Sequence, residues 1–227
     1  MKKLFETTFL VVLLVPLLSS EAACQISTES ATFDAQAWLV EVREALDAYD
    51  SEDNSEIKQL ANQLDDAVDW RRACDTYREE DGAQVYDPLP LEHEHWARGH
   101  LEVEHIVDNT HLVAVTCHFG AYQGSYALVH IVGDEVHIVR APDLSSGSQP
   151  TEYDTAIFST PRYDGIADGR FQTLGVSRGL GDCGTFVSYY LVEPDWAAIE
   201  EVRHQECEYS GEPVIDPLDW PVVYTSK

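Results

Sequence analysis

Gly175-Val176-Ser177-Arg178-Gly179-Leu180-Gly181-Asp182-Cys183-Gly184 is the stretch on which the fold turns. Its C-terminal neighbours decide how it is read. Thr185-Phe186-Val187-Ser188-Tyr189-Tyr190 is β-branched and aromatic, a strand signature. Two motifs overlap in the stretch, and both need a helix where that strand begins. Gly179, Gly181 and Gly184 spell G-x-G-x-x-G, whose dinucleotide reading sets a pyrophosphate on a helix N-terminus. Gly175, Ser177 and Gly179 spell G-x-S-x-G, whose nucleophile elbow runs from strand into helix. Glycine at this density opposes a helix. The stretch is therefore expected as a tight turn whose glycines allow φ > 0 and close backbone approach. Inside it, Arg178 and Asp182 suit an ion pair that locks the turn or holds a ligand.

Downstream, Glu193-Pro194-Asp195-Trp196 reads as a turn between strands Thr185 to Val192 and Ala198 to His204. A hairpin centred on Asp195 sets Cys183 opposite Cys207, each twelve positions from the centre. Cross-strand pairs have the separation a disulfide needs. The remaining cysteines are Cys24, Cys74 and Cys117. Without Cys24 four are left, which allow three connectivities. With Cys183–Cys207 assigned, Cys74–Cys117 is left as the second pair.

Pairing is expected because the chain opens like an exported one. Lys2 and Lys3 precede the apolar run Phe9 to Leu18, and Ser20-Glu21-Ala22-Ala23 offers small residues for cleavage. The run is shorter than the about 20 residues that cross a bilayer. A signal peptide over 1–23 therefore directs the chain to the periplasm or cell envelope, where disulfides form. Cys24 directly follows it, so a lipid anchor on Cys24 is the alternative to simple secretion, although Glu21 stands where a lipobox has an aliphatic residue.

Charge limits the partners. There are 41 acidic against 14 basic residues, a net −27. Such a surface repels nucleic acid, whose binding depends on neutralising phosphates. It suits solubility in a salty environment, or capture of a cation.

The N-terminal part is helical. Asp34 stands as an N-cap, and Phe33 and Trp38 are spaced for a hydrophobic staple. Trp38, Val42, Ala45, Leu46 and Tyr49 form one apolar stripe, and Ile57, Leu60, Ala61, Leu64, Ala67 and Val68 a second. A helical hairpin over 24–78 is expected. Residues 79–98 are acidic and proline-broken, an expected linker. From 99 to 227 the texture is that of strands: Leu101 to Val107, His111 to Cys117, Tyr126 to Ile131, Val136 to Val139 and Phe171 to Leu174, then the last pair. Asp143 to Thr151 reads as a Ser/Gly/Pro loop. No helical period interrupts the strands, so an antiparallel sheet is expected. The fold class is α+β: a helical hairpin followed by a disulfide-stapled antiparallel domain.

Leu112-Val113-Ala114-Val115-Thr116-Cys117-His118-Phe119-Gly120-Ala121-Tyr122-Gln123 is followed by Arg178-Gly179-Leu180-Gly181-Asp182-Cys183-Gly184, then Cys207, then Asp219-Trp220-Pro221-Val222-Val223-Tyr224. In that order, residues 99–227 resemble the bacterial exported proteins grouped as domain of unknown function 1176. The resemblance implies export and cysteine pairing. It implies no reaction, ligand or catalytic residue.

Chemistry is sparse. Six of the nine histidines lie between His93 and His118. His93, His95, His100 and His105, interleaved with Glu92, Glu94, Glu102 and Glu104, are candidate ligands for Zn²⁺ or Cu²⁺. Ser177, Asp195 and His204 follow one another in a hydrolase order. Cys183 with His118 or His204 would make a thiol nucleophile, but a disulfide removes the thiol. The leading expectation is a non-enzymatic binding or interaction module, then a divalent-metal binder, then a hydrolase.

Overall fold

The computed structural model describes residues 33–49, 54–74, 78–80, 83–85, 99–107, 109–119, 123–145, 149–162, 169–207 and 216–226. His93, His95 and Cys24 lie outside them.

Helix α1 (Ala35–Asp47) begins where its cap dictates. The Asp34 carboxylate accepts the Ala37 N–H at 3.0 Å, and the Phe33 and Trp38 rings meet at 5.8 Å. Helix α2 (Ser55–Val68) buries Ile57, Leu60, Ala61 and Leu64. It stops at Asp69, whose left-handed backbone (φ 52°) lets its N–H reach Asp65 O at 2.7 Å. The short helix α3 (Trp70–Cys74) starts at the next residue. Two indoles fasten these helices: Trp38 Nε1 donates to Leu60 O at 3.1 Å and Trp70 Nε1 to Ala61 O at 2.7 Å.

Strands β1 (Arg78–Glu80) and β2 (Ala83–Val85) pair as a small ribbon across the boundary between the expected helical region and the expected linker. The main strands come next: β3 (Leu101–Val107), β4 (Thr110–Phe119), β5 (Gly124–Val132), β6 (Glu135–Ile138), β7 (Ala141–Ser145), β8 (Gln149–Thr155), β9 (Ile157–Arg162), β10 (Arg170–Val176), β11 (Gly184–Glu193), β12 (Trp196–Gln205) and β13 (Val222–Thr225). The main sheet runs β13-β12-β11-β10-β9-β5-β4-β3, with β6 also on β5, and every ladder is antiparallel.

β4 shows how the layers form. His111 to Cys117 are all buried, so both faces of the strand are covered. Val113, Val115 and Cys117 join Ala127, Val129, Trp38 and Leu64 in one apolar cluster, under the helices. Leu112 and Ala114 face the other way, into a second cluster with Leu128, Phe171, Val187 and Ile199. The sheet therefore folds over on itself, and β9 is the crossing. Its first half pairs with β5 and its second half with β10. Arg140 closes the gap on the other side, in a parallel bridge with Trp196.

The structure corrects three expectations. Asp143 to Thr151 is not a loop: β7 and β8 form a hairpin there, from Ala141↔Thr155 to Ser145↔Gln149. It pairs apart from the main sheet and reaches the core through Ala141 and Leu144 of β7, while β8 stays largely exposed, so its sequence lacks a sustained apolar alternation. β9 is a strand without a strand signature, because Pro161, opposite Thr173, argues against an inner position. The β11–β12 register is off by one. Gly184 faces Gln205, because the turn is the two residues Pro194-Asp195 and its centre falls between them. Bulges after Ser188 and Leu191 shift the rungs between them by one more and then restore the register.

Both disulfides are present. Cys74–Cys117 (S–S 1.96 Å) ties α3 to β4, and Cys183–Cys207 (S–S 1.99 Å) closes the open end of β11–β12. Two disulfides fit folding in an oxidising compartment. Among the described residues no helix is long and apolar enough to cross a membrane.

Candidate ligand cleft

The glycine-rich stretch ends β10, forms a loop over residues 177–183 and starts β11. Its two flanks are antiparallel neighbours, with Val176 opposite Gly184 and Gly175 opposite Thr185. Gly184 has φ +147°, and a Cβ there would sit 2.0 Å from Gly175 O. Only glycine lets these strands meet. Strand β11 also removes the helix that a dinucleotide site or a nucleophile elbow requires.

The loop is locked from within. Arg178 holds Asp182 in a bidentate pair, Nε to Oδ1 at 2.7 Å and Nη2 to Oδ2. The Asp182 side chain is 5 % exposed. The Arg178 guanidinium holds its carboxyl below the usual carboxylate range. Ser177 N–H donates to Cys183 O at 3.0 Å, and Gly181 N–H to Arg178 O at 3.1 Å. This pair locks the turn.

The fixed loop forms one end of a cleft of about 280 Å³. Its floor is β9, β10 and β11, carrying Phe158, Ser159, Thr173, Gly175, Thr185 and Tyr189. Its wall is β7, carrying Pro142, Asp143 and Leu144. Gly175 keeps the floor open, since a Cβ there would meet Ser159 Oγ at 2.8 Å. The Gln123 side-chain oxygen accepts the Val176 N–H and pins the loop's base. Thr185 Oγ1 and His204 Nδ1 share a hydrogen bond at 3.0 Å. Tyr189 is buried, which pushes its phenol well above the ordinary value, and Thr173 hydrogen-bonds it. Such a phenol stays neutral and offers packing rather than proton transfer.

A larger groove, about 730 Å³, lies between α2–α3 and β6–β8. Arg140 and Asp154 pair across it at 2.8 Å, with side chains 56 % and 46 % exposed. Exposed, screened pairs of this kind contribute little.

Of the predicted metal residues, His100 and His105 are among the described ones, and these two lie apart. His100 meets the Tyr49 ring at 5.2 Å, and burial lowers its pKa. His105 lies five residues further along extended chain, roughly 16 Å away. There it meets His111, ring to ring at 5.2 Å. His111 lies outside the predicted ligand set, yet it is 4 % exposed with a buried Nδ1 that has no hydrogen-bond partner among the described residues. Burial first, then Arg43 and His105, push its pKa down to about 4. No group of three or more His, Cys, Asp or Glu among the described residues is placed to hold a metal ion.

The hydrolase trio is dispersed as well. Asp195 lies in the β11–β12 turn and His204 near the far end of β12, roughly 30 Å along the strand. Cys183 is bonded to Cys207 and has no thiol. His118 Nε2 instead lies 3.2 Å from Cys74 O. Apart from Gly175 and Ser177, which belong to the G-x-S-x-G, the cleft residues carry no motif in the sequence. They come from separate elements, and Gly175 is the one signal of close approach. No family model, no curated protein and no solved structure matches the chain.

Proposed function

We propose that this chain is an exported, non-enzymatic binding module of the periplasm or cell envelope, with its ligand seated between β7 and the β9–β11 floor. The observation that carries the reading is the lining of that cleft. Ser159, Ser177, Thr185 and Gln123 converge from separate elements on a floor of Phe158 and Tyr189. A concave site with a few polar groups placed over aromatic rings suits a small ligand. The resemblance of residues 99–227 to an exported family with no implied reaction points the same way. In this reading α1 and α2 form a helical hairpin that covers the opposite face of the sheet, away from the cleft. The test is an amide-resolved NMR titration with a panel of small polar compounds. Shifts should concentrate at Gln123, Ser159, Thr173, Ser177 and Thr185, and Gly175→Leu, which fills the cleft, should abolish them. Shifts that survive Gly175→Leu in a folded protein would reject this site.

A second reading keeps a divalent metal in the histidine-rich segment. The observation favouring it is the His105–His111 contact with its unsatisfied His111 Nδ1. Neutral imidazole is the ligating form of histidine. Zinc titration followed at the histidine ring protons tests it. Unmoved His105 and His111 signals would end it.

A further inference from the structure

The cleft's chemistry narrows its ligand, an inference that rests on the binding-site reading above. Three properties combine. First, the cavity is about 280 Å³, at the small end of ligand sites and close to one sugar ring in size. Second, Ser159, Ser177 and Thr185 present hydroxyls, each able to donate and to accept. They suit a partner that also does both, such as an alcohol, while the buried Phe158 and Tyr189 rings lie beneath them. Third, the charge is one-sided. Asp143 is the carboxylate on the lining, and among the described lining residues there is no lysine, arginine or histidine. An anionic ligand would find no counter-charge, and the net −27 of the chain would repel it. Asp143 is exposed, and its Oδ1 accepts its neighbour's N–H, Leu144 N, at 2.9 Å. That bond fixes the carboxylate at the wall, across from the hydroxyl-bearing floor.

We propose that the cleft takes a monosaccharide-sized polyol bearing a primary amine, an amino sugar, with its ammonium on Asp143 and its hydroxyls on Ser159, Ser177 and Thr185. An ammonium on a carboxylate forms a charge-assisted hydrogen bond, stronger than the neutral ones around it. The neutral groups orient the ring, and the charge selects the amine.

Calorimetry on the full chain tests this with glucosamine, glucose, N-acetylglucosamine and putrescine. The pH should lie about one unit below the amine's own pKa, so that the amine is charged. Glucosamine should bind about tenfold more tightly than glucose or N-acetylglucosamine. Asp143→Asn preserves the bond to Leu144 and removes the charge, so it should erase that preference while the melting temperature holds. Ser177→Ala should weaken all three sugars alike. Equal binding of the three, tighter binding of putrescine, or a glucosamine preference that survives Asp143→Asn would overturn the proposal. So would the absence of saturable glucosamine binding up to about 10 mM. NMR separates the two levels of failure. Equal sugar binding with shifts at Thr173 and Ser177 rejects the amine and keeps the cleft, whereas shifts elsewhere reject both.

Discussion

Cys183 and Cys207 are bonded just beyond the last rung of the β11–β12 ladder, Gly184↔Gln205, one residue past it on β11 and two on β12, with Cα atoms 5.0 Å apart. The bond therefore closes the open end of a hairpin rather than stapling two paired residues. It also anchors the loop whose Ser177 N–H reaches Cys183 O. With a sequence separation of 24, the chain-entropy account gives the crosslink roughly 3 kcal/mol. Replacing both cysteines by serine should lower the urea-unfolding free energy by about that amount. Mass mapping of non-reduced peptides should recover the 183–207 and 74–117 links. A free Cys183 thiol in the folded protein would contradict the structure.

Gly184 and Gly133 both lie at positive φ but should respond differently to alanine. At Gly133 (φ +60°) a Cβ meets nothing within 4 Å, so Gly133→Ala bears only the left-handed backbone cost, about 1 kcal/mol. At Gly184 the Cβ would overlap the Gly175 carbonyl oxygen, which belongs to a paired strand. Gly184→Ala should cost more than about 3 kcal/mol or prevent folding. Parallel denaturation curves would decide, and equal losses would show that the strands can separate at this point.

Legibility in the sequence depends on where each signal resides. The helices are legible locally, since a cap, a staple and a stripe lie within one segment, as at Asp34, Phe33 and Trp38. The Cys183–Cys207 pair is legible from a turn and two positions. The register is not, because a two-residue turn and two bulges move rungs without changing composition. β9 is hidden by Pro161, and the β7–β8 hairpin by the largely exposed β8. The cleft is illegible for a deeper reason. Apart from Ser177, singled out only as a candidate nucleophile, Ser159, Thr173 and Thr185 are ordinary residues until β9, β10 and β11 bring them side by side. The same logic separates His100 from His105, since five residues along an extended strand are distance in space.

Arg178 and Asp182 should govern the mobility of the loop. With both guanidinium contacts removed by Arg178→Ala, the Asp182 carboxylate keeps its burial but loses its counter-charge. Backbone amides that depend on the closed loop, Ser177 and Gly181, should then exchange with deuterium faster, while β11 amides such as Val187 keep their protection. Lysine at 178 should restore the charge without the bidentate geometry and give an intermediate rate. Unchanged exchange at Ser177 would show that the disulfide alone holds the loop.

His111 should make the fold sensitive to mild acid. Its folded pKa, near 4, lies below the ordinary histidine value of 6.5, because burial and the nearby Arg43 oppose a charged ring. The folded state therefore binds its proton later than the unfolded state does. Its contribution to stability is complete above about pH 6.5, is lost as pH falls toward 4, and changes no further below that. His100 and His130 are shifted in the same direction by burial and add to the trend. Acid also relieves the repulsion of a chain at −27, which works the other way. The comparison must therefore be between proteins rather than between pH values. His111→Gln should melt below the parent at pH 7.5 and close that gap as pH drops through 6.5 to 4, because the variant has no ring to protonate. A gap that stays constant across that range would show that His111 accepts its proton equally in both states, and that Arg43 and burial do not act on it.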